Sequence, residues 1–107
     1  MAEKITLRIY DIVGHPIWVA TEDGQKVHDK IVAAFNVGRF VELSFAAREN
    51  LITAFLNAAI GQLYGEYDEE YIRSNLAFID ISEEDQSMVA RAIANAKRYF
   101  AHKAAYD

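Results

Sequence analysis

Residues 39–65, RFVELSFAARENLITAFLNAAIGQLYG, decide how this chain folds. The first part, Phe40-Val41-Glu42-Leu43-Ser44-Phe45, is rich in β-branched and aromatic residues and reads as a buried strand. After a short loop, Ile52, Phe55, Leu56, Ala59, Ile60, Leu63 and Tyr64 recur at helical spacing and build one wide apolar face. Gly65 follows the last of them, where a helix C-cap is expected. Thr53 carries the hydroxyl of the first turn. A strand that delivers its chain to a helix N-terminus presents unpaired N–H groups at the join, so this corner is a natural recognition surface.

Outward from this unit the pattern alternates. Ile5, Leu7 and Ile9 alternate with polar residues and read as a strand with one buried face. Gly14-His15-Pro16 breaks it and Ile17-Trp18-Val19-Ala20 resumes, which predicts an antiparallel hairpin with Trp18 in the core, an exposed partner anchor being the rival reading. Thr21 is placed to cap a helix with Glu22 and Asp23 in its first turn, and Val27, Ile31, Ala34 and Phe35 form its stripe. Asp68 is placed to cap a short helix through Ser74, and Leu76–Ile81 reads as another strand. Ser82 and Asp85 resemble a capping box before a last helix that buries Val89, Ala92, Ile93, Ala96, Tyr99 and Phe100. The order β-β-α-β-α-(α)-β-α predicts an α/β fold: a mostly parallel sheet of about four strands, an N-terminal hairpin and three to four helices. Sites in such sheets gather at the strand carboxyl ends, here Ala20–Asp23, Phe45–Thr53 and Ser82–Glu84.

Composition narrows the function classes. At 107 residues, 52% hydrophobic and 25% charged, the chain suits one globular domain spanning 1–107. Without cysteine it has no disulfide, thiolate nucleophile or thiolate metal site, which suits a reducing, cytoplasmic setting. Met1-Ala2-Glu3-Lys4 runs directly into a strand pattern, so no signal peptide is expected, and no apolar run is long enough to insert in a membrane. The net charge of −5 argues against a nucleic-acid partner. Lys97-Arg98 with His102-Lys103 is the one basic cluster, and it closes a helix that opens with Glu83-Glu84-Asp85, as the helix dipole favours. The acidic run 66–70 reads as a solvated helix start, with a partner-facing patch as the rival reading.

No catalytic constellation is legible. His15, His28 and His102 lack metal-ligand spacing, and His28 and Asp29 point about 100° apart on a helix, so His28 is expected partly exposed. Asp11 and Asp80 lie near strand ends, where turn and cap roles account for them without a metal. Gly24, Gly61 and Gly65 form no phosphate loop, and Gly61 is expected to serve close helix-to-sheet packing, with a partner's close approach as the rival reading. Tyr64, Tyr67 and Tyr71 either cover the end of the central helix or rim a site.

The run Thr53-Ala54-Phe55-Leu56-Asn57-Ala58-Ala59-Ile60-Gly61-Gln62-Leu63-Tyr64-Gly65 resembles the signature of a STAS-like bacterial domain family of unknown function. Glu22-Asp23-Gly24-Gln25-Lys26-Val27, Val41-Glu42-Leu43-Ser44-Phe45 and Ala94-Asn95-Ala96-Lys97-Arg98-Tyr99 agree in order and spacing. That family is similar to sulfate-transporter and anti-sigma-factor-antagonist domains, bacterial switch modules that bind ATPase-fold kinases. Those relatives are often phosphorylated at an Asp-Ser-Ser-Gly corner. Here the corner reads Asn50-Leu51-Ile52-Thr53, so Thr53 alone keeps a hydroxyl.

The resemblance implies a STAS-like fold and a non-catalytic regulatory interaction module in signal transduction, with an ATPase-fold kinase or anti-sigma factor as partner. The expected partner surface is Ala46, Ala47, Arg48, Glu49, Asn50, Thr53 and Asn57, with Thr53 the candidate phosphosite. No catalytic residue, metal or cofactor is expected, and a sheet edge leaves room for a homodimer. The alternative is a small ligand- or nucleotide-binding protein, or an enzyme subunit, working at the strand carboxyl edge.

Overall fold

The structure is a computed structural model that describes residues 3–106, with side chains through residue 103. Met1 and Ala2, named above in the signal-peptide expectation, lie outside the described residues. The chain runs β1 (Lys4–Arg8), α1 (Ile9–Val13), β2 (Ile17–Trp18), α2 (Thr21–Asn36), β3 (Phe40–Ser44) and β4 (Asn50–Leu51). It continues with α3 (Thr53–Ala59), a 3-10 helix (Gly61–Gly65), α4 (Glu69–Asn75), β5 (Leu76–Ile79) and α5 (Glu83–Tyr106).

The main sheet has the order β1-β3-β5, and all its pairings are parallel. Its register aligns Ile5 with Val41 and Leu76, and Leu7 with Leu43 and Phe78, so these six apolar residues share one face. That face packs on Val27 and Ile31 of α2, Phe55 and Leu56 of α3, Leu63 of the 3-10 helix, and Val89 and Ala92 of α5. Trp18 is buried between Phe45 and Phe55, with ring centroids 6.0 and 6.1 Å away, and its Nε1 donates to the His15 carbonyl at 2.8 Å.

The N-terminal hairpin does not form. Ile9 and Val13, four apart, are both buried, so the chain closes a helical turn past Arg8 and leaves it through Gly14 at φ +85°. Ile17 and Trp18 then pair in parallel with Asn50 and Leu51, as a separate two-stranded sheet. The expected sheet of about four strands is therefore three strands plus this ribbon, and the described residues hold five α-helices.

The central helix is also interrupted. It ends at Ala59, and Leu63 N–H bonds the Ile60 carbonyl at 3.0 Å as the winding tightens. The break falls where Gly61 weakens the helix and where the Phe100 ring of α5 occupies the space a side chain at Gly65 would need. Close helix packing sits at Gly24 rather than Gly61: a methyl at Gly24 would lie 2.6 Å from the Phe55 carbonyl oxygen and 2.8 Å from the Ala58 Cβ. Neither Thr21 nor Asp68 caps through its side chain. Ser82 does, accepting the Asp85 N–H at 3.1 Å, but the Asp85 carboxylate turns away from the cap.

Candidate functional site

At the carboxyl end of β3 the chain makes a braced corner. Ser44 is buried; its hydroxyl donates to Asp80 Oδ2 at 2.6 Å and accepts the Ala46 N–H at 3.3 Å. Asp80 ends the neighbouring strand at φ +53°, and Ala47 turns the corner at φ +68°. Arg48 then reaches Asp85 with two charge-assisted hydrogen bonds of 2.8 and 2.7 Å. A pocket of about 290 Å³ lies here, bounded by Ala46, Ala47, Arg48, Asp80 and Ser82. Its charged and hydroxyl groups largely answer one another, so what this edge offers a partner is shape more than unpaired charge.

Beyond Arg48 the chain crosses to the ribbon. The Glu49 and Asn50 N–H groups donate to the Pro16 carbonyl at 2.9 and 3.2 Å, and the Ile52 N–H continues the ladder to the Trp18 carbonyl at 3.2 Å. Alternation sends Trp18 and Leu51 into the core. Ile17, Asn50 and Ile52 fall on the opposite face, and both isoleucines are 39% exposed. Thr53, the first residue of α3, is exposed beside them.

The seven expected surface residues therefore separate. Ala46, Ala47 and Arg48 line the carboxyl-edge pocket, Glu49, Asn50 and Thr53 belong to the ribbon and the start of α3, and Asn57 lies one turn on, in a groove against α5. Ile17 was not among them, although the alternation around Trp18 signals an outward position. Ile52 reads from periodicity as part of the helix's apolar face; its extended backbone at the helix N-cap turns it outward instead.

A second polar cluster joins α2 to the segment after the 3-10 helix. His28 is buried, not partly exposed. Its Nε2 lies 2.6 Å from Glu66 Oε1 and its Nδ1 3.0 Å from Asp29 Oδ1. Burial works against the imidazolium, but the hydrogen bonds and charges of Glu66 and Asp29 outweigh it and raise the His28 pKa. The His28–Glu66 pair spans 38 residues, which sequence spacing does not reveal. Tyr67 and Tyr71 stack on each other and stand edge-on to Phe35, so they cover the end of α2. Among the described residues no group of three or more His, Asp or Glu is placed to hold a metal ion, and no helix is long and apolar enough to cross a membrane.

Comparison with known families bears on this corner directly. A family model described as the STAS-like domain of unknown function (DUF4325) matches residues 23–86. The chain belongs to that family. The STAS-like match runs from the first turn of α2 to the first turn of α5, so it takes in the braced corner, β4 and α3. It leaves β1, α1 and β2 outside, and with them Ile17. No curated protein and no solved structure matches the chain.

Proposed function

We propose that this STAS-like chain is a non-catalytic regulatory module that docks a protein partner on the outward face of the β2–β4 ribbon and the start of α3. The observation carrying this reading is the pair Ile17 and Ile52, exposed on one face with Asn50 and adjoining Thr53 while Trp18 and Leu51 anchor the ribbon beneath. Single exposed apolar residues are ordinary, whereas a pair grouped with polar neighbours is the kind of anchor that interfaces bury. The family's likeness to anti-sigma-factor antagonists supports an ATPase-fold kinase or an anti-sigma factor as the partner class. Thr53 supplies the switch. A phosphate there adds a charge of about −1.5 to −2 beside Ile52, and desolvating that charge opposes docking.

The tagged chain is purified from its native host beside an Ile17→Asp, Ile52→Asp variant, and the bound proteins and Thr53 are analysed by mass spectrometry. An ATPase-fold protein held by the parent and lost by the variant supports the surface. Equal retention by both removes it. Phosphate absent from Thr53 under every growth condition removes the switch and leaves the docking reading standing.

A further inference from the structure

A groove of about 340 Å³ runs between the α3–3-10 segment and the last turns of α5, away from the corner. Gly61 and Ala96 form its floor. A methyl at Gly61 would meet the Ala96 Cβ at 3.4 Å and the Asn57 Oδ1 at 4.0 Å, so the floor is open because residue 61 has no side chain. The carboxamides of Asn57, Gln62 and Asn95 line the groove. Gln62 commits both N–H bonds, to Gln25 Oε1 and the Ala58 carbonyl, each at 2.8 Å, which leaves its own oxygen as an acceptor. The side-chain carboxamides of Asn57 and Asn95 make no hydrogen bond among the described residues, so each keeps its N–H donors and its acceptor oxygen.

The other wall is aromatic. Tyr99 is 56% exposed and stands edge-on to Phe100, with centroids 4.9 Å apart. Tyr99 and Asn95 also border an adjoining depression with Arg98, His102 and Lys103. Among the described residues no carboxylate forms an ion pair with Arg98 or Lys103, although the chain carries a net charge of −5. The helix dipole accounts for cations at the end of α5. It does not account for an open floor ringed by carboxamides beside an exposed ring.

We propose that this groove binds a mononucleotide, the base over Gly61 against Tyr99 and the phosphate beside Arg98 and Lys103. Carboxamides complement the alternating donors and acceptors of a base edge, an exposed tyrosine offers a stacking face, and paired cations suit phosphate. The volume lies near the lower end for small-molecule sites and suits one base with its sugar. A nucleic-acid strand would need a longer basic track than an acidic chain with two clustered cations, Arg98 and Lys103, provides.

The test is calorimetric titration of the chain with ATP, GTP, CTP and UTP, with adenosine and tripolyphosphate as the two halves of the ligand. At least one nucleotide binds. Tyr99→Ala lowers its affinity about ten- to a hundredfold, and Gly61→Ala, which meets no contact closer than 3.4 Å, lowers it about tenfold. Arg98→Ala with Lys103→Ala weakens nucleotide but leaves nucleoside binding unchanged. Circular dichroism checks that each variant is folded. Three results overturn the proposal: no nucleotide bound at millimolar concentration, binding unmoved by both Tyr99→Ala and Gly61→Ala, or tighter binding of a single-stranded oligonucleotide than of any mononucleotide.

Discussion

Arg48 and Asp85 lie 37 residues apart and meet through Nε to Oδ2 at 2.8 Å and Nη2 to Oδ1 at 2.7 Å. The pair fastens the loop after β3 to the first turn of α5. The Asp85 side chain is only 4% exposed and that of Arg48 26%, so neither retains full hydration. Arg48→Met keeps the packing of the stem but strands the buried carboxylate. It lowers unfolding free energy by about 1–3 kcal/mol, read from urea denaturation. An unchanged midpoint would show that the clamp contributes nothing to the fold and would return Arg48 to the list of free surface groups.

Two glycines separate close packing from open space. At Gly24 an added methyl collides with backbone, at 2.6 Å from the Phe55 oxygen, and helix α2 must move away from α3. Gly24→Ala is therefore expected to destabilise by about 1–3 kcal/mol despite its better helix propensity. Gly61→Ala meets only ordinary contacts and shifts stability by less than about 1 kcal/mol. Thermal unfolding of the two variants side by side checks the contrast, and equal losses would contradict it.

These residues also show what sequence could and could not convey. The strand Phe40–Ser44 was legible because consecutive β-branched and aromatic residues announce a buried strand. The α2 stripe and the start of α5 were legible from period and capping chemistry. The hairpin was misread because Ile9 and Val13 satisfy a helical turn as well as the end of an alternating strand, and the burial that decides between them is tertiary. At the candidate site, Thr53 and Asn50 were placed by the strand-to-helix join, whereas Ile17 reached them through a parallel pairing between segments 33 residues apart in register. No local signal encodes such a pairing. The same holds for His28 and Glu66.

His28 gives the pH prediction. A neutral imidazole has one N–H and satisfies one of its two carboxylate neighbours, whereas the imidazolium satisfies Glu66 and Asp29 together. Its pKa is raised above the ordinary 6.5, so the folded state holds this proton more tightly than the unfolded chain. The resulting stability is complete below pH 6.5 and is lost as pH rises through the folded value. Asp29 works in the other direction: its pKa is lowered by its hydrogen bond to His28, then by Gln25, and that contribution disappears as pH falls through the lowered value. Thermal midpoints should therefore decline as pH rises above 6.5 through the raised value, and His28→Gln should flatten that decline. An NMR titration placing the His28 ring at or below 6.5 would refute the two-carboxylate arrangement.

The docking reading makes a prediction at Asn50 and Thr53 that separates surface from fold. Asn50 is exposed on the ribbon face, and its backbone N–H, not its side chain, holds the ladder to Pro16. Asn50→Lys thus leaves the unfolding midpoint within about 0.5 kcal/mol of the parent, as for other exposed substitutions. It places a cation between Ile17 and Ile52, and a partner that buries those isoleucines must desolvate the charge. Affinity for the captured partner is expected to fall at least about tenfold, the size of effect a hot-spot position gives. Thr53→Glu should act in the same direction as the phosphate it mimics, while Thr53→Val should bind like the parent. Calorimetry on the three variants decides the matter: binding unaffected by both Asn50→Lys and Thr53→Glu means that the partner sits elsewhere on the chain.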